Sequence, residues 1–262
     1  MRVIMSIAGT TIGEAIRRKV LLVIFLIGLL FVAIAPGLKV LSARSETSTL
    51  ISLTMGILQL TSALIAIVLT VYLIPNEIDR RTIYTILCKP VQRYQFLLGK
   101  YFGAVGALGL LMSLMTLALV LVFYFAQPES RSEIPRLVKL PIMYFVQMSL
   151  LAAVAIMFST FVTPLVNFFL TGGTYLVGTL LSNIFESLKD AQGTTGFAKT
   201  MATIISVVLP NFNYYNVQNP LINPGQQIQN ETFYYLSATG YGILYISILL
   251  IVGMIIFDRR EV

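Results

Sequence analysis

The sequence contains no histidine, no tryptophan and one cysteine, Cys88, and charged side chains make up only 11% of its 262 residues. Each shortage excludes something. Without histidine the chain lacks the commonest metal ligand and the side chain that ordinarily titrates near neutrality. One cysteine forms no disulfide within the chain. Without tryptophan, any aromatic belt must come from its 13 tyrosines and 16 phenylalanines. A soluble domain carries roughly 25% charged residues. With 57% hydrophobic residues and a mean hydropathy of +0.86, this chain would present large apolar patches to water. Membrane lipid is the solvent that suits it. The net charge of +7 therefore bears on orientation in a membrane, not on nucleic acid.

Catalytic patterns are missing too. There is no HExxH, CxxC or GxSxG. Gly99-Lys100 would need a glycine at position 94 to read as a phosphate-binding loop, and Tyr94 stands there. No residue is assigned a catalytic, cofactor-binding or metal role, and the chain is not expected to be an enzyme. No charged residue sits at the centre of an apolar run, which weakens an ion-driven mechanism. Gln59, Gln147 and Asn167 fit either hydrogen bonding between helices or an ion-lining role.

What is present reads as an all-α, polytopic membrane protein, one transmembrane domain over residues 1–262 with six spans. Ile4, Ile7, Ala8, Ile12, Ala15 and Ile16 recur at helical spacing before Arg17, Arg18 and Lys19, so residues 1–19 are expected to form an amphipathic helix at the membrane surface. The three basic residues resemble the charged start of a signal peptide. The apolar run continues to Ala35 without a small-residue cleavage site, so it reads as a retained span. The spans fall near Val20–Leu41, Leu50–Ile74, Tyr101–Phe125, 140–161, 164–184 and Ala238–Phe257. The uncharged stretch Leu140–Ile184 would be about 68 Å long as one helix, against a bilayer core of about 30 Å. It must fold back, and Ser159-Thr160 to Thr163-Pro164 is the turn. Residues 185–237 form a polar outer segment. Its apolar piece, Phe197–Leu209, is too short to span and is read as a short outer helix, interfacial or re-entrant.

Charge by side orients the map. The side holding both termini and residues 75–100 has eleven basic and five acidic residues; the other has seven and six. Positive charge accumulates on the cytoplasmic side, so both termini and residues 75–100 are placed in the cytoplasm of a cell-membrane protein.

Residues 75–100 are more than a linker. Asn76 suits a helix cap, and Glu77 and Asp79 suit the first turn, where the helix dipole favours acids. Ile83, Ile86 and Leu87 make an apolar face, and Lys89-Pro90 stops the helix. A docking surface for a partner protein and a basic headgroup anchor both fit. Beyond it, Gly99, Gly103 and Ala107 recur every four residues, the spacing that lets helices approach closely, within one chain or between two.

The order Glu77, Arg81-Thr82, Leu87, Lys89-Pro90-Val91, Arg93 and Leu98-Gly99-Lys100 resembles the signature between the second and third spans of type-2 ABC transporter permeases. Cys88 departs from it, where a small or apolar residue is more usual. The resemblance implies the membrane subunit of an exporter that pairs with a second permease copy or paralogue. Each permease would seat a coupling helix on a separate ABC-type ATP-binding subunit, which holds the ATP and magnesium. On this chain the coupling residues would be Glu77, Arg80, Arg81, Thr82, Ile83, Ile86, Leu87, Lys89, Pro90 and Arg93. An ion-coupled carrier or channel without an ATPase, or a membrane scaffold, are the other readings.

Overall fold

In the computed structural model, the described residues are 2–35, 46–75, 77, 92–126, 134–181, 200–201, 203, 209–216 and 230–259. Among them every regular element is helical and no strand is present. The α-helices are α1 (Arg2–Arg17), α2 (Lys19–Ile34), α3 (Glu46–Val71), α4 (Arg93–Ala126), α5 (Ile134–Ser159), α6 (Pro164–Leu176) and α7 (Glu231–Arg259). A π-helical turn, Val177–Leu181, continues α6, and a 3-10 turn covers Phe212–Tyr215.

Among the described residues, four segments are long and apolar enough to cross a membrane: Ile51–Val71, Arg93–Phe125, Val138–Ser159 and Thr232–Arg259. The sequence led us to expect six. α2, with 16 residues, and α6, with 13, fall short of the roughly 20 a crossing needs. α2 stops just ahead of Pro36-Gly37, and α6 carries the helix-weakening pair Gly172-Gly173 before its π turn. Of the apolar piece 197–209, only residues 200, 201, 203 and 209 are described.

α4 begins at Arg93, eight residues before the expected start of its span at Tyr101. Its 34 residues make a rod about 51 Å long, so one end projects well beyond a core of about 30 Å. α5 is the central helix and packs on α3, α4, α6 and α7. Leu150 to Ile156 are all buried, and Ala152, Ala153 and Ala155 let the neighbours approach closely. The outer helices show the reverse. Leu22, Leu26, Leu30 and Phe31 on α2 and Ile243, Leu244, Ile248 and Ile251 on α7 are exposed, a surface suited to lipid.

α5 ends at Ser159 and α6 starts at Pro164. The hydroxyls of Ser159 and Thr160 donate back to the carbonyls of Ile156 and Met157, at 2.7 Å each, and so satisfy groups the helix end leaves open. Proline at the first position of α6 has no N–H to leave unpaired.

Candidate functional site

α1 does not lie alone. Its most extensive packing is on the first turns of α4. A Cβ added to Gly103 would come within 2.5 Å of the Thr11 Cβ and 2.8 Å of the Ala8 carbonyl oxygen. At Gly99 it would meet the Ile7 side chain at 2.8 Å and the Ile4 carbonyl at 3.2 Å. The two helix backbones approach too closely for any larger residue. Ala8, Thr11 and Ala15 are the buried face of α1. Ala107, one turn beyond Gly103, is also buried.

Four elements meet around this seat through charge. Lys100, one residue past Gly99, has a side chain only 5% exposed. Its ammonium is 2.6 Å from Glu77 Oε1, beyond the end of α3, and 3.9 Å from Glu14 Oε2 on α1. It also sits 5.7 Å from the centre of the Phe96 ring, within cation–π range. Glu14 in turn pairs with Arg18 at 2.9 Å, at the extended break between α1 and α2. A buried ammonium is tolerated only when its donors are met by charge or acceptors, and here two carboxylates and an aromatic face meet it.

Glu77 also donates its backbone N–H to the Ile74 carbonyl, closing the turn that follows α3. At the far side of the same segment, the Arg93 guanidinium donates to the carbonyl oxygens of Phe257 at 3.0 Å and Asp258 at 3.1 Å. These are carbonyls the end of α7 leaves without a helical partner, and the helix dipole favours a cation there. The rings of Phe96 and Phe257 stack beside it, 6.2 Å apart. A cleft of about 550 Å³ opens next to this clasp, between Gln92, Tyr94, Met254 and Ile255.

Glu77 and Arg93 thus bracket residues 78–91, the entry held to α4 and α1 and the exit to α7. Arg80, Arg81, Thr82, Ile83, Ile86, Leu87, Lys89 and Pro90 lie outside the described residues. Sequence reasoning missed Glu14, Phe96 and Phe257 as parts of the site. Glu14 carried a signal: it is the one acid on α1, four residues before Arg18. Among the described residues no group of three or more His, Cys, Asp or Glu side chains stands ready for a metal.

A second polar set lies within the apolar helices. Gln59 of α3 donates to the Gln147 side-chain oxygen at 3.1 Å, and Gln147 donates to the Phe212 carbonyl at 3.3 Å. Asn167 of α6 donates to the Ala155 carbonyl at 2.9 Å and accepts from the Thr171 hydroxyl at 2.8 Å. Gln147 is nine residues beyond Val138, so about 14 Å along its span. The 3-10 turn therefore meets α5 near the middle of that apolar segment. Irregular backbone survives there only if protein satisfies it. The Tyr241 hydroxyl accepts from Asn211 N–H, and Asn211 Oδ1 accepts from Asn213 N–H. The Tyr215 hydroxyl donates to the Ala238 carbonyl on α7. Gly178 gives the turn room: a Cβ there would lie 2.5 Å from the Phe212 ring and 2.7 Å from the Pro210 carbonyl.

Gln147→Leu removes both bonds at once, the one received from Gln59 and the one given to the Phe212 carbonyl. It is expected to cost about 1–2 kcal/mol. Gln59→Leu should cost less, since Gln147 keeps its bond to Phe212. Thermal unfolding of the two variants in the same detergent checks the order; equal or reversed losses contradict it.

The family model described as ABC-2 family transporter protein matches residues 5–262. No curated protein matches the chain.

Proposed function

Because this chain belongs to the ABC-2 family of transporter proteins, the type-2 ABC permeases, we propose that it is the membrane subunit of an ATP-driven exporter. A separate ABC-type subunit would bind ATP and magnesium and dock on the cytoplasmic segment 75–100. The observation that carries this reading is the bracket around that segment. The buried Lys100–Glu77 pair ties its entry to α4 and, through Glu14, to α1. Arg93 ties its exit to the end of α7. A mere connector needs no such attachment; a surface that receives force does. Movement of the segment would reach α1, α4 and α7 together.

On this reading α2 to α7 are the six crossings. The π turn Val177–Leu181 lengthens α6. Both termini and residues 75–100 face the cytoplasm of the cell membrane, and a second permease copy or paralogue completes the pathway. Ile83, Ile86 and Leu87 supply the apolar face that the ATPase grips, flanked by Arg80, Arg81, Thr82, Lys89 and Pro90.

The direct test is co-purification of the chain with a cytosolic ATP-binding subunit, followed by ATP hydrolysis in proteoliposomes. Ile83→Asp with Leu87→Asp places two charges on the docking face. Each buried unpaired charge costs several kcal/mol, so association should weaken by roughly a hundredfold or more. Intact assembly and unchanged coupled hydrolysis in that variant would remove the coupling assignment.

A further inference from the structure

α4 and α5 separate along part of their length and leave a groove of about 590 Å³, walled by Gly109, Ser113, Leu117 and Val120 on one side and Pro141 and Phe145 on the other. Its two hydroxyls donate within their own helix. The Ser113 hydroxyl donates to the Leu110 carbonyl and the Thr116 hydroxyl to that of Met112, both at 2.8 Å. An apolar cavity of about 150 Å³ already stays dry and takes up a hydrocarbon. This groove is larger, and its lining is almost wholly apolar.

Both walls belong to segments long and apolar enough to cross the membrane. The residues beside the mouth, Leu110, Leu114, Leu121 and Ile142, are exposed and apolar, so the groove opens toward the bilayer interior. One end is charged. Lys139 is exposed, follows the wall residue Val138 and lies one turn before Ile142, at the start of the α5 span. A lysine at a span terminus places its ammonium at headgroup level.

We propose that this groove binds a resident phospholipid of the surrounding bilayer, with one acyl chain between α4 and α5 and the phosphate beside Lys139. The apolar floor takes the chain, and the basic rim selects an anionic headgroup. Nothing in this assignment depends on an ATPase partner.

The test uses the full chain in nanodiscs of mixed phosphatidylglycerol and phosphatidylcholine with a trace of phospholipid bearing a diazirine on its acyl chain. After illumination, labelled peptides are mapped by mass spectrometry. Label should concentrate on 109–120 and 138–145 by roughly tenfold over the equally exposed faces of α2 and α7. Ser113→Phe with Thr116→Phe fills the groove and should remove that excess while leaving labelling of α2 unchanged, which also reports that the protein is folded. Lys139→Glu, a surface change, should reduce the preference for the anionic lipid by roughly tenfold. Even labelling over all the apolar faces would overturn the proposal. So would disulfide cross-linking of Leu117→Cys between two copies, in a Cys88→Ser background, without lipid labelling of the groove.

Discussion

Replacing Lys100 with methionine should lower the midpoint of thermal unfolding in detergent by about 6–12 °C. The side chain is 5% exposed and answers Glu77, itself only 18% exposed. Methionine keeps the apolar stem but takes the ammonium away from two carboxylates. Breaking a buried pair from one side costs about 3–5 kcal/mol. Glu14 is nearly half exposed and is partly answered by Arg18, which argues for the lower end, about 3 kcal/mol. At this chain length each kcal/mol moves the midpoint by roughly 2–4 °C. The double variant Lys100→Met with Glu77→Gln removes charge from both sides and should recover most of the loss, because replacing a whole buried pair with uncharged groups is often close to neutral. If the pair also transmits force, coupled ATP hydrolysis stays low in the double variant although stability returns. A single variant melting within a degree or so of the parent would mean that the pair is solvated and contributes little.

The second large effect is expected at Gly103. Leucine there cannot be absorbed by a rotamer change, because the obstacles are the Thr11 Cβ and the Ala8 backbone carbonyl. α1 must lift away, giving up its buried face. Trypsin cleavage near Arg17, Arg18 and Lys19 should then rise more than tenfold, the change expected for a loss above about 1.4 kcal/mol. Gly103→Ala should already destabilise, although alanine is favoured over glycine by about 1 kcal/mol within a helix. Gly9→Ala and Gly13→Ala serve as controls. A Cβ at either position meets nothing within 4 Å, so each should be neutral or slightly stabilising. Unchanged cleavage in Gly103→Leu would show that α1 is held by something other than this seat.

Much of the architecture was legible because it depends on local features. Proline and hydroxyl residues mark the fold-back, and α5 ends at Ser159 with α6 starting at Pro164. The reach of α4 back to Arg93 was not legible. Hydropathy sees only the apolar part of a helix, and Arg93 to Lys100 is polar enough to look like a loop. For the same reason the site was half visible. Glu77 and Arg93 stand out as parts of a motif. Glu14, which meets the same Lys100 as Glu77, lies 86 residues before that lysine, and the Phe257 and Asp258 carbonyls that Arg93 meets are 164 and 165 residues from it, so they become neighbours only through packing. Gln147 shows the limit in another way. Sequence gives a polar side chain in an apolar run, but not that one of its partners is a backbone carbonyl from a turn 65 residues later.

The length of α4 has a mechanical consequence. α1 grips it at Gly99 to Gly106, about 15 Å from Arg93 and 35 Å from Ala126 when measured from Gly103 at 1.5 Å per residue. A stiff rod held at that point is a lever of unequal arms. A sideways push of about 2 Å at the Arg93 end swings the Ala126 end by roughly 5 Å the other way, taking the arm ratio from the same rise per residue.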